Sequence, residues 1–205
     1  MASGVTKKSG KGLRDGVISE LTTYWGVKPG HEEELRVAVG QFAEMLRNIA
    51  PADTIRTGLR DSRHVIFDGG RRLLWVTTFE SDWDSYVDDA LIVVGIEHYL
   101  DWLQHTTEAE QVFAWLESAG LEKLGKSDPG YEELVKKTTA GLKAIIQSAQ
   151  TAAAAYFNPL GTLTLPQIIK AQRVEQAFQE VLDDPAAEEA LQHPALKPLL
   201  EQAAD

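Results

Sequence analysis

The sequence predicts an α+β fold, and three observations carry that expectation. Residues 17–27 (VISELTTYWGV) alternate and are rich in Val, Ile, Thr, Tyr and Trp, a strand composition. Asp68-Gly69-Gly70-Arg71 separates two further strand-like stretches, 54–67 and 72–80. Helical apolar spacing fills the other gaps, at 35–49 and again at 83–105. The order is therefore strand, helix, strand, strand, helix.

Composition bounds what the chain does. Of 205 residues, 31 are acidic and 20 basic, a formal charge of −11, which argues against wrapping a nucleic-acid backbone. Apolar residues at 43% and charged residues at 25% exclude a disordered or collagen-like chain. The length suits one domain with an extension better than two full domains. The absence of Cys excludes disulfides, thiolate metal sites, iron–sulfur clusters and cysteine nucleophiles.

Residues 1–16 carry Lys7, Lys8, Lys11 and Arg14 against Asp15, a net of +3, and read as a flexible basic arm. Binding of phosphate or a partner by this arm is the alternative. Glu20 and several Thr break the stretch that follows, so no signal-peptide core is present, and a cytoplasmic location is expected. The longest apolar run, Ala90–Ile96, is too short for a membrane span.

Lys28-Pro29-Gly30-His31 is a turn. Leu35, Val39, Phe42, Ala43, Leu46 and Ile49 then share a helical face, with Glu32, Glu33 and Glu34 at the positive end and Pro51 as the stop. The strands 54–67 and 72–80 form a hairpin, since two glycines after Asp meet the positive-φ demand of a tight turn. Ser81 or Asp82 caps the helix 83–105, and a smaller helix covers 108–124. Residues 126–130 are a linker, and 131–148 are helical again. Residues 150–159 are ambiguous, because alanine favours helix while Tyr156, Phe157, Asn158 and Pro159 do not. A helix over 163–182 and short acidic helical turns over 185–205 complete the chain. The expected organisation is an arm at 1–16, an α+β domain at 17–184 with a helical insertion at about 106–148, and a tail at 185–205.

The run Arg63 to Trp75, continued by Thr78-Phe79-Glu80-Ser81-Asp82-Trp83-Asp84-Ser85-Tyr86-Val87-Asp88-Asp89, resembles a largely uncharacterised family of the dimeric α+β barrel superfamily. So do Ala153-Ala154-Ala155-Tyr156-Phe157, Thr164–Arg173 and the turn Val27–His31. The likeness covers roughly 17–182. It implies a ferredoxin-like βαββαβ sheet, with residues 151–157 as the fourth strand, and a cleft between the sheet and two helices. The superfamily includes dye-decolourising peroxidases, chlorite dismutases, haem-degrading monooxygenases and cofactor-free (antibiotic-biosynthesis-type) monooxygenases, so the likeness implies no single reaction. This chain departs from the pattern at His64, where Trp is usual, and at Phe79-Glu80-Ser81-Asp82.

Four constellations bear on chemistry. His98, Trp102 and His105 lie within two turns of one helix, so they are expected to share a face. His98 is the candidate haem ligand that the resemblance suggests, and a helix-end or half-buried histidine is the alternative. Seven residues separate the two histidines, too many for an i, i+4 chelate. Arg56, Arg60 and His64 are expected on one face of the second strand, facing solvent, a subunit partner or an anionic ligand. His64 is the candidate acid/base, because its ordinary pKa lies near neutrality. Tyr24, Trp25, Trp75 and Phe79 are expected to cluster on the sheet, as ligand-pocket wall, core or dimer interface. Asp82, Asp84, Asp88 and Asp89 lack the spacing of a calcium loop and read as a cap and a charged first turn, so no metal site is expected. The chain also lacks the nucleophile elbow and the HExxH pattern.

Two functions follow as expectations. One is a small-ligand-binding module, without a complete catalytic set, that holds an apolar or anionic molecule in the sheet–helix cleft. The other is an oxidoreductase, haem-dependent or cofactor-free, acting on an aromatic or quinol substrate. A cleft filled by Trp and Leu side chains favours the first, and an open cleft lined by His64 and arginines favours the second. A homodimer is expected in either case, because pairing two sheets covers an apolar face.

Overall fold

The computed structural model describes residues 12–204 and the two-residue strand Thr6–Lys7. It is an α+β fold. Five strands, β1 (Thr6–Lys7), β2 (Leu13–Asp15), β3 (Ile18–Gly26), β4 (Leu59–Phe67) and β5 (Arg72–Phe79), form an antiparallel sheet in the order β1-β2-β3-β5-β4. The expected flexible arm is thus stranded where it is described, and its other residues up to Lys11 lie outside the description. Seven helices follow within the same part of the chain: α1 (Glu32–Arg47), α2 (Pro51–Thr57), α3 (Trp83–Val94), α4 (Ile96–Leu103), α5 (Ala109–Ala119), α6 (Tyr131–Thr138) and α7 (Ala140–Ala149). Residues 1–164 form one compact unit and 165–205 a second, so the helix Leu165–Leu182 (α8) belongs to the second. No helix among the described residues is long and apolar enough to cross a membrane.

The hairpin turns as its residues predict. Asp68, Gly69 and Gly70 have φ of 55°, 66° and 92°, and the Arg71 guanidinium donates to the Asp68 carboxylate at 2.6 Å. That bond holds the Asp68 carboxyl below its ordinary pKa.

The second strand starts later than 54. Residues 51–57 are helical, with Pro51 opening α2 and Gly58 (φ 67°) closing it. Proline is favoured at a first helical position because the missing N–H is not needed there. A bulge between Leu59 and Asp61 then makes Arg60 the extra residue.

The long helix 83–105 is broken. Gly95, at φ 93° and ψ 136°, separates α3 from α4. The Tyr131 hydroxyl closes the break: it accepts from the Ile96 N–H at 2.9 Å and donates to the Leu91 carbonyl at 3.1 Å.

The expected fourth strand at 151–157 does not form. A single bridge joins Gln150 to Thr23, and the Thr151 N–H donates to the Thr22 carbonyl at 2.9 Å. The chain then leaves the sheet. β2 already pairs with the first residues of this edge of β3, at Ile18 and Ser19. The small side chains of Ala152–Ala155 supply little apolar area to reward further pairing.

The two faces of the sheet differ. Leu21, Thr23 and Trp25 of β3 alternate inward with Leu73, Trp75, Thr77 and Phe79 of β5, and all are buried. Phe42 of α1, Tyr86 of α3 and Trp102 of α4 pack against them. On the other face Tyr24, Leu74, Val76 and Phe67 are half-buried and Val65 is 43% exposed.

Candidate functional site

The inner face of the sheet holds an aromatic chamber. Strand periodicity places Trp25 and Trp75 inward, and the β4–β5 register sets His64 directly opposite Trp75. The two rings stack, 6.1 Å apart and 8° from parallel. Phe42 and Trp102 meet His64 edge-on at 5.4 and 5.1 Å. Tyr99 and Trp102, three residues apart on α4, close the chamber against Trp75 at 6.1 and 5.5 Å. The contacts are largely edge-to-face, the arrangement that aromatic quadrupoles prefer.

Polar edges inside the chamber are unevenly served. The Trp25 indole N–H donates to the Thr23 hydroxyl at 2.8 Å, and that hydroxyl donates to the Trp75 carbonyl at 3.1 Å. The Trp75 indole N–H reaches the Ser62 hydroxyl at 3.2 Å. Two atoms are buried with no hydrogen-bond partner: His64 Nε2 and Trp102 Nε1. Burial pushes the His64 pKa down to about 4, so the imidazole is neutral at pH 7. An apolar cavity of about 20 Å³ lies beside these rings, between Trp25, Trp75, Tyr86, Tyr99, Trp102 and Leu142. That is room for about one water-sized occupant.

The sequence-predicted residues do not converge on one site. Arg56 sits in α2 and pairs with Glu132 at 2.9 Å and Asp89 at 3.5 Å. Arg60, turned aside by the bulge, pairs with Glu80 at 2.6 Å and also donates to the Leu163 carbonyl. Only His64 of the expected row faces the chamber, so the cationic row is absent. Tyr24 lies on the opposite face, 5.7 Å from Phe67 with Arg72 over its ring. Phe79 is fully buried and stacks on Tyr86 at 3.9 Å. Of the expected aromatic cluster, Trp25 and Trp75 alone line the chamber.

The histidines of the broken helix also part company. Trp102 is fully buried, whereas the His98 side chain is 38% exposed and lies 3.9 Å from Asp101. His105 follows the end of α4 and meets His31. A haem does not fit these residues: the free space of the chamber is about that of one water, and His98 does not line it. The acidic run on α3 is engaged in ion pairs, Asp84 and Asp88 with Lys143 at 3.4 and 2.8 Å and Asp82 with Arg14 at 3.6 Å. Among the described residues no three metal-ligating side chains stand together.

Sequence reasoning missed the chamber partners Phe42 and Tyr99. Helical period marks Phe42 as core, yet nothing local says that it meets His64. The arrangement as a whole is apolar, and His64 Nε2 finds no hydrogen-bond partner in it. Compared with protein-family models, with curated proteins and with solved structures, the chain finds no match.

Proposed function

We propose that this chain is a non-catalytic α+β module that holds a small apolar molecule between its sheet and helices. The observation that carries this function is the chamber itself: six rings converge there, its free space has a purely apolar wall, and both arginines expected beside it are ion-paired elsewhere. An anionic ligand would need those arginines. The oxidoreductase alternative needs a proton partner for His64, and the groups nearest that ring are Phe42, Trp75 and Trp102. The small free volume limits the occupant to about one heavy atom unless side chains move. Kinship with the dimeric α+β barrel superfamily, with a ferredoxin-like sheet and pairing of two copies through the outer face, is part of the same proposal. The order β3-β5-β4 and the partly exposed Tyr24, Val65, Phe67, Leu74 and Val76 support it.

The test is titration with xenon, and of Leu142→Ala also with a small arene, followed by tryptophan emission. Saturable quenching is expected in the native chain, strengthened in Leu142→Ala, where the cavity is larger. An unsaturable response in both proteins would overturn the proposal. Added hemin is expected to show only its free spectrum, and a Soret shift abolished by His98→Ala would favour the oxidoreductase instead.

A further inference from the structure

A second constellation lies away from the chamber, where the start of α1 meets the end of α4. His31 precedes the first residue of α1, and His105 follows α4 by two residues. Backbone bonds fix both positions. The Lys28 N–H donates to the His105 carbonyl at 2.9 Å, the His31 N–H donates to the Lys28 carbonyl at 3.0 Å, and Val27 bridges to Thr106. The two imidazoles meet Nδ1 to Nδ1 at 2.9 Å, with ring centroids 5.2 Å apart. One proton lies between those nitrogens, since one must donate and the other accept.

We propose that His31 and His105 form a binding site for a divalent transition-metal ion of the kind that favours imidazole: Zn²⁺, Ni²⁺ or Cu²⁺. Two imidazole nitrogens bound cis to an octahedral or square-planar ion such as Ni²⁺ or Cu²⁺, each at about 2.1 Å, stand about 3.0 Å apart, and on tetrahedral Zn²⁺ about 3.4 Å. At 2.9 Å the pair already stands at the cis spacing and about 0.5 Å short of the tetrahedral one, so the ion takes the place of the shared proton with only a small shift of the rings.

The surroundings supply access and charge. An open groove of about 460 Å³ runs past His105, lined also by Glu33, Glu34, Gln41, Asp101 and Gln104. Glu34 lies three residues after His31 on α1, and Asp101 four before His105 on α4, so each histidine has a carboxylate one turn away. The fields of both carboxylates reach His105, and that of Lys28 opposes them. With no third ligand beside the pair among the described residues, the other coordination positions fall to water or, after side-chain rotation, to Glu34 and Asp101. The spacing of 74 residues hides the pair from any local motif.

The test is calorimetric titration of the full, tag-free chain with ZnCl₂ and NiCl₂ at pH 7.5. One ion per chain is expected, with affinity reduced at least tenfold in His31→Ala and in His105→Ala. His98→Ala should bind as the native chain does. Ring-nitrogen NMR of the native protein guards against a misfolded variant: Zn²⁺ should move the His31 and His105 Nδ1 signals and leave those of His64 and His98 in place. Absence of one-to-one binding at millimolar metal, or a double alanine variant that binds like the native chain, would overturn the proposal. Neither outcome touches the apolar chamber, whose residues are different.

Discussion

His64 shows how one residue's surroundings decide its chemistry. In water its imidazole titrates near pH 6.5, but between Phe42, Trp75 and Trp102 it titrates near 4. The folded state therefore rejects a proton that the unfolded chain accepts. Stability is complete above about pH 6.5 and is lost as pH falls toward 4, by about 3 kcal/mol in all. His64→Leu should flatten this part of the profile, and urea midpoints at pH 7.5 and 5 in both proteins will measure it. The two arginines that the sequence treats alike also separate at this scale. Arg60 and Glu80 are only 10% and 15% exposed, so Arg60→Ala is expected to cost about 3 kcal/mol by breaking a buried pair. The Arg56 side chain is 41% exposed, and Arg56→Ala should cost no more than about 1 kcal/mol. Equilibrium urea unfolding of the two variants distinguishes them.

At the scale of elements, breaks matter as much as the elements themselves. Gly95 ends α3 and frees the Ile96 N–H, which the Tyr131 hydroxyl takes. Tyr131→Phe leaves that N–H buried without its partner and is expected to cost about 1–3 kcal/mol. Thermal unfolding read by circular dichroism checks this, with Tyr156→Phe as the control on a more exposed tyrosine. Pro51 and the bulge at Arg60 act in the same way. The first turns a predicted strand start into a helix, and the second shifts which side chains face inward. Hairpin chemistry was legible because Asp68, Gly69 and Gly70 determine it locally. The Arg60 position was not, because a bulge depends on the register against β5.

At the scale of the molecule, the inner face of the sheet is covered and the outer face is partly open around Tyr24, Val65, Phe67, Leu74 and Val76. Sheet faces of this composition lose exposed apolar area on pairing. Light scattering after size exclusion is expected to give a dimer at micromolar concentration, and Leu74→Asp a monomer. A native chain that elutes as a monomer would remove the outer-face dimer and leave the inner chamber unaffected. Among the described residues the buried apolar side chains lie within residues 18–146, and the helices of residues 165–204 have no buried residue of their own.

By itself the sequence determined the α+β class, the hairpin at 68–71, the apolar helix faces and the lack of cysteine chemistry. Each of these follows from propensity, periodicity or composition within a short window. Only the tertiary structure decided that 151–157 leaves the sheet, that Arg56 and Arg60 turn to Glu132 and Glu80, that His64 packs against Phe42, Trp75 and Trp102, and that His31 meets His105. Those outcomes depend on strand register, edge occupancy and packing between segments far apart in the chain. Local patterns do not encode such contacts, because their energies exist only once the chain has folded.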